Sequence, residues 1–324
     1  MNAGSAALVF AALLSWSVLL VLSRVILLNF ALDPWPFTFI QMMAAGIFLL
    51  TVSGRISGSS QQFRDPYIWI YGILRVGTAA FFTASLVYVS ATNAAFLSIL
   101  AVPTSAIVLW SVLGRKPGRW ELPGHIVILL GLFSLAQVLE DGWRNPALIF
   151  MILSELCVVA STIIAELHPL NRTEDRRQRA GLTGIMLMVS AFVLLLVAIA
   201  IATLAQWFPD LQSAMPVEIS WISTPNDIFE PTLWVAAIAL GIFLRGPSMY
   251  LTLAAINRVQ TANYIAAMAA LPLTSLLLEQ AAVAAGLLPP AEVWNAATLF
   301  GCVMISGSLA VLWARSRRRR QVVA

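Results

Sequence analysis

Charge is scarce in this chain. Asp, Glu, Lys and Arg together make up 10% of its 324 residues, where a soluble domain carries about a quarter. A molecule with water over most of its surface is therefore excluded. Histidine occurs only at His125 and His168, and cysteine only at Cys157 and Cys302. With no H-E-x-x-H and no cluster of such residues, a metal site has no support. Both cysteines fall in apolar runs, where they read as small apolar filler rather than a disulfide framework. The sequence has no G-x-S-x-G elbow, no pair of aspartates inside the apolar runs and no P-loop. An enzyme is not expected, no cofactor is implied, and ATP is not the energy source. The net charge of +4 needs no nucleic-acid partner, because arginine, not lysine, supplies nearly all of it and lies mostly between apolar runs.

Apolar residues are abundant: 60% are hydrophobic and the mean hydropathy is +0.87. Runs of the length needed to cross a hydrocarbon core of about 30 Å follow one another almost without interruption. They predict ten spans, over 5–29, 35–53, 67–88, 92–113, 121–139, 146–167, 181–208, 232–256, 261–286 and 292–314. The first run is too long for a secretory signal and has no basic segment before it, so it reads as a membrane helix. Asp33-Pro34, Asp65-Pro66, Lys116-Pro117 and Asn145-Pro146 lie at run edges, where proline is tolerated.

The basic residues predict the orientation. With both termini in the cytoplasm, fifteen of the nineteen fall inside, counting the tail from Arg315 to Arg320, and only Arg144 falls outside. Such an asymmetry is the positive-inside signature. The loop 209–231 has acidic residues and no basic one, as expected outside. Cytoplasmic termini and a multi-pass inner-membrane protein are expected.

Two stretches repeat each other. Leu74-Arg75 leads to Val102-Pro103, and Leu244-Arg245 leads to Leu271-Pro272, with Thr92 and Thr261 each eleven positions before the proline. Five spans per half make the halves opposite in orientation, so an all-α membrane fold of two inverted five-helix repeats is predicted. The site is then expected near the midplane between the halves. The predicted division is 1–140 for the first repeat, 144–316 for the second and 317–324 for a basic cytoplasmic tail.

Several of these segments resemble the drug/metabolite transporter superfamily, in particular its ten-helix proteins with two EamA-type repeats. The resemblance rests on Leu86–Leu135, with Ala91-Thr92-Asn93-Ala94-Ala95, Pro103, the Gly114-Arg115-Lys116 turn and the Ile126–Gly131 run. It rests also on Leu251–Leu309, with Thr261-Ala262-Asn263, Pro272 and Val303–Gly307. This chain departs from the pattern at Arg115, where relatives often carry glutamate, and at Gln41, where they often carry arginine. The resemblance implies export or exchange of small metabolites.

Arg24, Arg75, Glu155, Arg245 and Glu279 lie deep inside spans. A charge at a helix centre costs about 2.5–3.5 kcal/mol even on lenient insertion scales, so these groups should face partners or a wet cavity. One alternative is a set of ion pairs that only ties helices together. Three arginines against two glutamates leave one positive charge over, which suits an organic anion or an amino-acid-like zwitterion. Substrate contacts are expected from Arg75, Arg245 and Glu155, with Tyr88, Asn93, Tyr250, Asn263 and Tyr264 beside them. Arg24 with Glu279, and Pro103 with Pro272, are the expected gating elements. The expected partners are a small-molecule metabolite and the lipid bilayer, with homo-oligomerisation left open. A lipid flippase or channel-like protein is the alternative function.

Overall fold

The computed structural model describes residues 3–54, 64–167, 176–207, 224–259, 261–289 and 295–323. Most of the 209–231 loop, the basic stretch up to 175, and His168 lie outside these. The described residues contain helices and turns and no strand. In lipid this follows from the backbone: every N–H and C=O must be satisfied within its own segment.

Among the described residues the ten long helices are α1 (Ala3–Asn29), α2 (Pro34–Ser53), α3 (Pro66–Tyr88), α4 (Ala91–Leu113), α5 (Leu122–Val138), α6 (Pro146–Leu167), α7 (Arg176–Trp207), α8 (231–259), α9 (261–284) and α10 (Ala296–Val323). Nine of them are long and apolar enough to cross a bilayer, and α5 is a shorter apolar helix of 17 residues. Seventeen residues rise about 25 Å, at the short end of what spans a membrane. Helices α7 and α10 extend several residues beyond their predicted spans, because hydropathy marks only the part in hydrocarbon while the arginine-rich turns stay helical.

Local chemistry sets the starts. Asp33 and Asp65 each accept a backbone N–H two residues on, from Trp35 and Tyr67, and a proline stands at the first helical position of α2 and of α3. Proline has no N–H to lose there, and the carboxylate satisfies an orphan donor. Ser90 does the same for α4, accepting from Asn93 N at 3.0 Å. That cap separates α3 cleanly from α4, a boundary the apolar run alone leaves soft.

Packing reveals the repeat. Helix α2 packs on α7, α4 on α9 and α5 on α10; α1 packs on α8 and α9, as α6 packs on α3 and α4. Adding five to each helix number returns the same set of contacts. At the α2–α7 crossing, a Cβ on Gly46 or Gly184 would lie 2.6–2.7 Å from the other's carbonyl oxygen. Gly124 and Gly307 repeat this at the α5–α10 crossing, at 2.6–2.8 Å. Such reciprocal contacts are what two halves related by a pseudo-two-fold axis require, and glycine is the residue that lets the backbones approach. An odd number of helices per half then makes the repeats inverted.

Candidate functional site

Three helices are interrupted, each beside a proline. In α4 a 3-10 turn, Ser98–Leu100, precedes the segment Ala101–Leu113 that contains Pro103. In α9 the segment Thr261–Met268 stops, Ala269 and Ala270 form a turn, and Leu271–Ala284 starts again with Pro272 in its first turn. In α8 a π-helical turn, Gly241–Arg245, stands immediately before Gly246-Pro247. A proline inside a helix removes a donor and crowds the carbonyl four residues back, so the turn before it tightens or widens. Pro103 and Pro272, expected as gating elements, each follow closely on the irregular turn of their helix.

All three breaks face one cavity. It has a volume of about 130 Å³ and is lined by Ser98, Ile99 and Ala101 of α4, Met268, Ala269 and Leu271 of α9, and Arg245 and Met249 of α8. Trp16 of α1, Arg75 and Phe82 of α3, and Glu155 and Thr162 of α6 complete the wall with Thr252 and Tyr264. Irregular backbone at membrane depth is tolerated where it lines such a space. The volume holds several waters or one small solute.

The cavity's charges are buried and unpaired. Arg75 is 6% exposed, Arg245 3% and Glu155 4%, and among the described residues none of the three is in an ion pair. Arg75 directs Nη2 to the Met249 sulfur at 3.1 Å, a weak acceptor, and its Nε has no partner. Arg245 directs Nε and Nη2 to Oε1 of Gln41, at 2.9 and 2.7 Å, and its guanidinium lies over the Trp16 ring at 5.2 Å. The Trp16 indole N–H is in turn bonded to Thr252 Oγ1 at 2.9 Å, and that hydroxyl is 2.9 Å from the Tyr264 hydroxyl. These partners are all neutral. They fix the arginines without cancelling their charge.

On the side away from the termini stands a polar cluster. Glu279 of α9 accepts from Ala91 N at 3.1 Å, Thr92 N at 3.0 Å and Thr92 Oγ1 at 2.5 Å, at the start of α4. Its Oε1 lies 3.6 Å from Arg24 Nε of α1, and Arg24 Nη1 reaches the Leu86 carbonyl at 3.2 Å. A carboxylate at a helix N-terminus is favoured by the orphan N–H groups and the helix dipole. The cluster therefore ties α1, α4 and α9, from both halves, at one point. Beyond it opens a vestibule of about 390 Å³ lined by Arg24, Tyr88, Ser90 and Asn93.

Of the residues singled out from the sequence, Arg75, Arg245, Glu155 and Tyr264 share the cavity wall, and Arg24 and Glu279 meet. Tyr88 and Asn93 stand in the vestibule instead. Tyr250 packs against the apolar core, and Asn263 donates to the Val259 carbonyl at 2.7 Å across the start of α9. Neither lines the cavity. Sequence reading missed Trp16, Met249 and Thr252, and noted Gln41 only as a departure from the family pattern. Trp16 had a signal: it is a tryptophan in the middle of a span, away from both interfacial belts.

The comparisons with known proteins agree with this architecture. Residues 4–137 match the EamA-like transporter family. The match covers the first five helices. No curated protein matches the chain in sequence, but 27 solved chains match in structure. One crystal structure, at 18% identity and a TM-score of 0.58, aligns over 98% of this chain and 99% of its own. At that identity the likeness speaks for the fold alone. The EamA half contributes Trp16, Gln41, Arg75 and the α4 break, and the second half contributes Glu155, Arg245 and the α9 break. The chain is a multi-pass membrane protein whose first half is similar to the EamA-like transporter family.

Proposed function

We propose that this protein is a secondary transporter of the inner membrane that exports or exchanges a small amino-acid-like solute or organic anion. One observation carries the reading: Arg75 and Arg245, from matching positions in the two halves, face one cavity, and among the described residues no carboxylate is paired to either. Two guanidinium groups against Glu155 leave the cavity one positive charge in excess. A buried charge kept unpaired is costly, and a carboxylate ligand would relieve it through charge-assisted hydrogen bonds. Glu155 offers an acceptor to the ammonium of a zwitterion. The apolar walls, from Trp16, Phe82, Met249 and Met268, suit a small hydrophobic body.

The distribution of arginines supports cytoplasmic termini. In that orientation the Arg24–Glu279–Thr92 cluster is an outer gate, closed, and the cavity lies on its cytoplasmic side. Alternating access would open this cluster and bring the vestibule with Tyr88 and Asn93 into continuity with the cavity.

A ligand that binds only the folded protein raises its unfolding temperature by mass action. Purified protein is therefore heated with amino acids, mono- and dicarboxylates, amines and neutral polyols. Carboxylates or zwitterions are expected to stabilise it, and Arg75→Gln or Arg245→Gln to remove the shift. Stabilisation by amines alone would overturn the reading.

A further inference from the structure

Gln41 is fully buried on α2, outside the cavity wall, yet it holds a residue of that wall. Its amide oxygen accepts both Nε–H and Nη2–H of Arg245, at 2.9 and 2.7 Å. Two features of α8 make this reach possible. Gly241 brings α8 against α2 so closely that a Cβ there would meet the Gln41 carbonyl oxygen and the Ala44 side chain. The π-helical turn Gly241–Arg245 then inserts an extra residue's worth of rotation, which aims Arg245 between Gln41 and the Trp16 ring. Single π-turns of this kind recur at functional sites because they re-aim a side chain.

The choice of partner has an electrostatic consequence. A carboxylate at this position would bind the same fork of N–H groups more strongly, and would also neutralise it. An amide oxygen fixes the geometry and leaves the full charge. The Gln41 Nε2 has no partner of its own, so the side chain keeps this place at a cost that its oxygen's two bonds offset.

We infer that Gln41 is the positioning residue that sets the anion specificity of the cavity, by clamping Arg245 with a neutral acceptor. This rests on the cavity being the solute site. The ligand class it selects is one with a free carboxylate on a small apolar body, discriminated from the same molecule as its amide.

The test uses full-length protein in detergent micelles and thermal-shift titration. The probes are the common apolar L-amino acids and short-chain monocarboxylates, each beside its own amide. Wild type is expected to prefer acid over amide by at least about ten-fold. In Gln41→Glu that preference is expected to fall by about ten-fold or more, because Arg245 then has a carboxylate of its own. Gln41→Leu, which removes the acceptor without adding charge, is expected to lose acid affinity while amide affinity stays within about three-fold. An acid preference unchanged in both variants would overturn the clamp. A wild type that binds no acid in preference to its amide would overturn the reading of the cavity, and the clamp with it. If Gln41→Glu fails to fold, Gln41→Leu decides alone, and an unchanged acid affinity there would equally overturn the clamp.

Discussion

Arg75 and Arg245 occupy matching places in the two repeats, yet their surroundings differ. Arg245 is fixed by an amide and an aromatic face, whereas Arg75 has a thioether at 3.1 Å and an unpartnered Nε. Arg75 is thus the freer of the two and the better placed to follow a moving ligand. Arg75→Gln is expected to abolish transport at near-normal expression, and Arg75→Lys to restore little, since an ammonium cannot reproduce the planar fork. Uptake into vesicles at matched protein levels checks this. At the gate, Thr92→Val removes the shortest bond to Glu279 and leaves the two backbone donors. A loss of about 1.5–3 kcal/mol in stability is expected from a hydrogen bond to a charged group, read from denaturant unfolding. An unchanged midpoint would mean that the hydroxyl contributes nothing to closure. The arginines were legible in the sequence because a repeated charge stands out in apolar surroundings. Gln41 stood out only as a departure from the family pattern; its contact with Arg245 did not, since a single amide inside a span carries no periodicity and its partner lies 204 positions away.

At the scale of the helix, the prolines mark breaks more than bends. The 3-10 turn of α4, the turn of α9 and the π-turn of α8 each stand just before a proline, and all face the cavity. Proline spacing shows that α4 and α9 are irregular, but the type of each break is a compromise between the missing donor and tertiary packing that the local sequence does not encode. If the breaks act as hinges, Pro103→Ala and Pro272→Ala should regularise the helices. Ligand affinity is expected within a few-fold of wild type and turnover is expected to fall, by comparison of binding with transport rates. Equal turnover in both variants would make the breaks static shape. The glycine crossings give a sharper expectation. Gly184→Val places branched carbon against the Gly46 carbonyl, where backbone is the obstacle. Overpacking of this kind costs about 1–3 kcal/mol or more, and a lower unfolding temperature is expected. Glycine in a membrane helix is too common for these two pairs to have been picked out from sequence; only the reciprocal contact identifies them.

Over the whole molecule, the two halves exchange contacts helix for helix, and the sites follow from that symmetry and from its failures. The Leu-Arg and apolar-Pro repeat showed the symmetry in the sequence, and the run lengths showed the number of helices, because hydropathy reads the bilayer directly. The cavity's full wall was not legible, since it is assembled from several helices whose rotations are set by packing. The polar cluster is where the halves differ. Glu279 and Arg24 meet in a charged contact, whereas Val9, Ala12, Ala255, Val259 and Tyr264, toward the N-terminal end of α1, form an apolar cluster. With the termini in the cytoplasm, as proposed, that difference would suit an outer gate of strong closure and an inner one that parts more readily. Orientation is checked by impermeant labelling of single cysteines in intact cells, after replacing Cys157 and Cys302. Ser213→Cys is expected to react and Ser316→Cys to be protected; the reverse would invert the gate assignment.

On this account one cavity with spare positive charge alternately meets the two sides of the membrane and moves an anionic or zwitterionic solute. Counterflow in proteoliposomes tests that most directly, using as tracer a carboxylate or zwitterion that stabilises the purified protein. Transient, saturable accumulation of tracer against an outward gradient of unlabelled solute is expected in wild type, and none in Arg75→Gln or Arg245→Gln. Non-saturable flux that both arginine variants retain would contradict the account and point to a channel-like pathway.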